Sequence, residues 1–150
     1  MKVFVDRVSI KDAPQIKMVE NGKWEYVSKW DIEIVLHGSG VLRLSIRPPY
    51  WTDLASVPKA LRGAFDNGSW DYGVLIASQV HDALYSTHYL SKTFSDDLFE
   101  QLLLYYGMKK FKARLYWLAV HLFGGKAWEV LSEEQMATDR HLIDFHWDDK

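Results

Sequence analysis

The first fifty residues carry short runs of β-branched and aromatic residues, whereas most of the remainder carries apolar positions at helical spacing. Val3-Phe4-Val5, Trp24 to Val27, Ile32 to Leu36 and Val41 to Ile46 are the strand candidates. In the last of these Leu42, Leu44 and Ile46 alternate with Arg43, Ser45 and Arg47, so one face of the sheet is expected to be buried and the other wet. Asn21-Gly22 and His37-Gly38-Ser39-Gly40 tolerate positive φ and predict hairpin turns between antiparallel neighbours.

Pro48-Pro49 closes the period-two region. A short helix is expected from about Pro58 to Ala64, with Pro58 in its first turn and Asn67-Gly68 as its stop. A second runs from about Trp70 to Tyr85 or His88. A third begins near Ser91 to Ser95, places Asp96 and Asp97 in an early turn and stops at Gly107. A fourth covers Lys109 to Leu122 and ends at Gly124-Gly125. Its Leu115, Leu118, Ala119 and Leu122 fall on one face, while Lys109, Lys110, Lys112 and Arg114 crowd the end where cations oppose the helix dipole. That placement points to a basic face with a use. Ser132-Glu133-Glu134-Gln135 is a capping pattern, so residues 132–150 read as a terminal helix and a frayed tail. The expected architecture is a single α+β domain, with an antiparallel sheet over about residues 1–50 and a bundle of about four helices over 56–150.

Composition narrows the chemistry. The 150 residues include 18 Lys and Arg against 20 Asp and Glu, a net charge of -2, which argues against a generally basic nucleic-acid-binding surface. No nucleic acid partner is expected. The absence of Cys removes disulfides, thiol nucleophiles and thiolate zinc sites, and leaves His, Asp and Glu as the strong metal ligands. Charge precedes any apolar run of signal-peptide length and no stretch of about 18 apolar residues occurs, so no membrane span is expected and the cytoplasm is the expected compartment.

Three segments carry the candidate chemistry. Val80-His81-Asp82-Ala83-Leu84-Tyr85 sets His81, Tyr85 and His88 along one side of an otherwise apolar helix, with Asp82 about 100° around from His81. Thr52-Asp53-Leu54-Ala55-Ser56-Val57-Pro58 places a carboxylate in the crossover between sheet and helices, where binding residues tend to sit. Ser95-Asp96-Asp97-Leu98-Phe99 starts the third helix, whose packing against the second would bring Asp96 or Asp97 toward Tyr85, His88 or Asp82. Three carboxylates and an imidazole from three segments suit a divalent cation, or a His general base oriented by an Asp. Each has a structural alternative: a buried His-Asp pair, Asp53 as a turn residue, Asp96 and Asp97 as dipole complements. His141, Asp144 and His146 read as a solvated helix face. Trp70, Tyr72, Phe94, Phe99, Tyr105, Tyr116, Trp117 and Phe123 read as core, and Pro48-Pro49-Tyr50-Trp51 as a lid or a contact patch.

At these segments the chain resembles a family of small proteins of unknown function widespread in tailed bacteriophages and prophages. The resembling motifs are Thr52 to Pro58, His81-Asp82-Ala83-Leu84-Tyr85, Ser95-Asp96-Asp97-Leu98-Phe99 and the aromatic-rich stretch from Tyr116 to Gly124-Gly125, in order across about residues 50–125. Ser95 stands where the family often has Ala, and His121 where it often has Arg. The resemblance selects Asp96 over Asp97. The His-Asp-x-x-Tyr helix also resembles the catalytic helix of secreted phospholipases A2, without their calcium loop and cysteines, and the His-Asp doublet resembles the all-helical HD-type metal phosphohydrolases. The expected function is a phage- or prophage-encoded hydrolase acting on an ester, amide or phosphodiester. In it His81 is base or metal ligand, and Asp82, Asp53 and Asp96 complete a catalytic or metal site with Tyr85 as a hydrogen-bond donor. A divalent metal ion is the candidate cofactor. The alternative is a non-enzymatic virion, tail or assembly protein, or a host-factor binder, in which the same cluster locks the fold and the partners are phage or host proteins; that reading allows incorporation into the virion.

Overall fold

The computed structural model describes residues 3–20, 23–52 and 72–149. Within them the chain forms β1 (Val5–Ile10), β2 (Ile16–Glu20), β3 (Lys23–Tyr26), β4 (Trp30–Leu36), β5 (Gly40–Ile46) and β6 (Trp51–Thr52). These are followed by α1 (Tyr72–Thr87), α2 (Lys92–Tyr105), α3 (Lys110–Phe123), α4 (Gly125–Glu129), α5 (Glu133–Leu142) and a final strand β7 (Ile143–Asp149). The α+β class expected from the pattern is observed. The Asn21-Gly22 turn, the helix expected at 58–64, its Asn67-Gly68 stop and Trp70 lie outside the described residues.

The strands form two antiparallel sheets rather than one. A four-stranded sheet has the order β1-β4-β5-β7, and a three-stranded sheet the order β2-β3-β6. β2 escapes the sequence pattern because four of its five residues are exposed and none is fully buried, so no alternation marks it. In β5 the alternation holds: Leu42, Leu44 and Ile46 are buried, while Arg43 reaches Glu33 and Asp148 across the wet face. The β4–β5 hairpin turns through residues 37–39, with Gly38 at φ 68. Gly40 follows at φ 144, and a Cβ there would run into the Asp148 carbonyl. Only glycine lets β7 pair at that end of β5.

β7 corrects the expected frayed tail. Ile143, Phe145 and Trp147 point toward the core and Asp144, His146 and Asp148 toward water, which is strand period, not helical period. The helical capping pattern is genuine but short-lived: Ser132 Oγ accepts from the Gln135 amide, and α5 ends at Leu142. His141 is exposed on α5, and Asp144 and His146 are exposed on β7 instead of on a helix.

One hydrophobic cluster joins Ile34, Leu42 and Leu44 of the sheet to Val80 and Leu84 of α1, Leu98 and Leu102 of α2, and Tyr116 of α3. Each such buried aliphatic side chain contributes about 1.5–3 kcal/mol. The expected apolar face of α3 and three of the expected core aromatics fail. Its packed face is Ala113, Tyr116, Ala119 and Val120, whereas Leu118 and Leu122 of the expected apolar face are exposed. Phe123, Tyr72 and Tyr105, expected in the core, are exposed as well.

Candidate acid–base site on helix α1

α1 is apolar on nearly every side because it runs through the middle of the molecule, so a polar residue on it must find a partner. A short connection folds α2 back along α1. Ser91 caps α2 by accepting from the Phe94 amide at 3.1 Å, which fixes the helix start at Lys92 and puts Asp96 in the second turn. Asp96 is therefore too far along to complement the helix dipole, and serves side chains instead.

Its carboxylate is fully buried. Oδ1 accepts from His81 Nε2 at 2.8 Å and from the Tyr85 hydroxyl at 2.6 Å, and Oδ2 accepts from Lys92 Nζ at 2.8 Å. Burial pushes the Asp96 pKa up, but these donors outweigh it and hold the carboxyl below its ordinary value. Asp96 is thus ionised at neutral pH, and His81 donates through Nε2–H. Burial and the bond to Asp96 push the Tyr85 phenol far above its ordinary value, so it acts as a neutral donor. Lys92 supplies the opposite charge, and its ammonium also donates to the His121 carbonyl at 3.1 Å, tying α3 to the cluster. His121 stacks on Trp117 and brings Nδ1 to 3.4 Å from Asp96 Oδ2.

Asp82 faces the other way. It is half-buried and accepts from Thr52 Oγ1 at the end of β6. Nearby, Tyr26 donates to Gln79 Oε1 at 2.6 Å and the Tyr50 hydroxyl lies 3.3 Å from Ser86 Oγ, so α1 is stitched to the three-stranded sheet as well as to α2. His81, Asp82 and Tyr85 line a cavity of about 420 Å³, within the usual range for small-ligand sites. Its far wall comes from Phe123 and Gly124 at the end of α3 and from Gln135 and Asp139 of α5. Burial raises the Asp139 pKa despite a hydrogen bond from Gln135.

Gly124 approaches the site closely. A Cβ there would sit 2.6 Å from the Tyr85 hydroxyl oxygen, which gives the Phe-Gly-Gly ending of the helix a steric reason. The chain beyond it brings Trp128 edge-on to Tyr85 and face to face with His88, 3.5 Å between ring centroids. His88 leaves the helix at φ 54 and does not join His81 and Tyr85 on Asp96. Burial and Arg140 push its pKa down, so the stacked ring is neutral at pH 7.

The structure therefore joins His81, Tyr85 and Asp96 directly and sets Asp82 beside them on the cavity wall. Asp97 is elsewhere, accepting from Trp117 Nε1 at 2.9 Å. Asp53, and the motif from it to Pro58, lie outside the described residues. Among the described residues no three His, Asp or Glu side chains are arranged to hold a metal ion, since both oxygens of Asp96 are taken by protein donors. Sequence reasoning missed Lys92 and Trp128 and gave Thr52 no role of its own, although Thr52 opens the motif at 52–58 and Lys92 is signalled by its i,i+4 spacing to Asp96.

Residues 34–120, more than half the chain, match the family described as Protein of unknown function (DUF1353). The chain belongs to that family. No curated protein and no solved structure gives a match. The DUF1353 region holds the whole His81–Tyr85–Asp96 cluster with Asp82, and stops within α3, so Trp128 and the α5 wall lie beyond it.

Proposed function

We propose that this protein is a hydrolase acting on a small ester, amide or phosphodiester bound in the cavity beside α1, with His81 as general base. The observation that carries this reading is a cavity wall shared by His81 and Asp82, with His81 backed by an ionised, buried carboxylate. In the reaction His81 takes a proton from the water that attacks the scissile bond and passes it to the leaving group, while Asp96 holds the ring and stabilises the imidazolium that forms between the two transfers. Lys92 keeps Asp96 ionised but also offsets part of its charge. Asp82 orients the water or the ligand, and Tyr85 fixes the Asp96 carboxylate. The motif resemblance adds a phage or prophage setting to this proposal. A divalent cation, if used, would approach from the side of Asp82, because Asp96 is saturated.

The complete burial and saturation of Asp96 favours a second reading, in which the cluster is a structural lock in a virion, assembly or host-binding protein. The test is turnover of p-nitrophenyl acetate, an acyl p-nitroanilide and bis-p-nitrophenyl phosphate by wild type and His81→Gln, with chelator and with added calcium, magnesium, manganese or zinc. The hydrolase reading expects turnover by wild type that falls on the order of 100-fold or more in a folded His81→Gln. No turnover of any substrate, under any metal condition, gives the cluster to the structural reading.

A further inference from the structure

The outer face of α3 carries an apolar ridge that no described residue covers. Phe111, Leu115, Leu118 and Leu122 follow at spacings of four, three and four, which sets them within an arc of about 60° on the helix. Phe111 is 76% exposed and Leu122 61%, and the strip continues over Phe123 at 72% and Val130 at 75%. Apolar side chains exposed this far, and this contiguously, mark an interaction surface.

The charge around the ridge says what would cover it. Over the ridge, from Gly107 to Val130, the acidic residue is Glu129 alone, while Lys109, Lys110, Lys112, Arg114 and Lys126 all fall there, in a chain whose net charge is -2. Arg114 is bound to Glu100 at 2.9 Å, so the exposed basic rim is Lys109, Lys110 and Lys126. A second copy of this chain would set one basic rim against another. Protein interfaces favour Arg and are poor in Lys, whereas long lysine stems beside exposed Phe and Leu suit a lipid surface, with the apolar ridge dipped into it and the ammonium groups among its headgroups. No helix among the described residues is long and apolar enough to cross a membrane, so attachment by this face would be lateral.

We propose that α3, with the turn after it, docks this protein on the surface of an anionic membrane. The proposal stands apart from the hydrolase reading, but the two meet at Phe123, which belongs both to the ridge and to the cavity wall. Docking would hold the cavity mouth near the headgroups.

The test is co-sedimentation of the full chain with vesicles of equal parts phosphatidylcholine and phosphatidylglycerol, and with pure phosphatidylcholine vesicles. At least about tenfold more protein is expected on the anionic vesicles, falling as salt rises. Phe111→Ser with Leu122→Ser should abolish binding and leave the thermal midpoint unchanged, because both side chains are exposed. Lys109→Glu with Lys110→Glu should abolish it too, whereas Lys11→Glu with Lys17→Glu, an equal change in net charge on the exposed edge of the sheet region, should leave most of it. Three results would overturn the proposal. They are no partition to anionic vesicles, equal loss in the sheet-region control, and an acidic amphipathic helical peptide that binds the face while vesicles do not, which would assign it to a protein partner.

Discussion

The two sides of α1 differ more than their spacing along the chain suggests. His81 and Asp82 are neighbours, yet His81 turns its Nε2 toward a carboxylate that is 0% exposed and has three donors, while Asp82 stands half-buried at a cavity with Thr52 as its partner. On the α2 side both oxygens of Asp96 have donors, and removing that carboxylate leaves the Lys92 ammonium without its counter-charge. On the cavity side the polar groups border open space that a ligand can enter. Under the proposed function a His-Asp doublet on a helix does two jobs, and the contrast between anchor and working face can be attacked from either side.

The largest effect should come from the anchor. Asp96→Ala removes the shared acceptor of His81, Tyr85 and Lys92, and should cost about 3–5 kcal/mol in urea unfolding, the scale for breaking a buried ion pair. Next is Gly124→Ala, where the new methyl meets the Val120 carbonyl and the Tyr85 hydroxyl and should cost about 1–3 kcal/mol without changing the charge of the cluster. Acid sensitivity follows from the same carboxylate. Its folded pKa lies below the unfolded value of about 3.9, so its contribution is complete above that pH and is lost as pH falls through the folded value. Wild type should therefore lose stability below about pH 4 more steeply than Asp96→Asn, which pH-dependent thermal melts would show. The smallest effect should have the opposite sign. Asp139 has a raised pKa, so its contribution is greatest in acid and declines as pH rises through the folded value; Asp139→Asn should slightly stabilise the protein at pH 7.

How much of this was legible in the sequence follows the physics of each element. β5 could be read because one of its faces is buried and the other wet, and α1 because an apolar run carried conspicuous polar residues. β7 could not, because Ser132 and Glu133 advertise a helix and the switch to strand period at Ile143 comes only ten residues later. α3 misled for a different reason: Ala113, Tyr116, Ala119 and Val120 pack inward while Leu118 and Leu122 face out, the reverse of the usual pattern. In the site, the helix hairpin points Asp96 toward Tyr85, as expected, and Lys92 is signalled by its i,i+4 spacing to Asp96, but Thr52 as a partner of Asp82 and Trp128 over Tyr85 depend on tertiary contacts that no local pattern encodes.

The most direct measurement sets Asp82→Asn beside Asp96→Asn, each scored by urea unfolding and by turnover of whichever substrate wild type hydrolyses. The separation of anchor from working face predicts that Asp82→Asn stays within about 1 kcal/mol of wild type while its turnover collapses. Asp96→Asn should lose at least about 2 kcal/mol. An Asp82→Asn protein that keeps full activity, or one that unfolds as readily as Asp96→Asn, would contradict it.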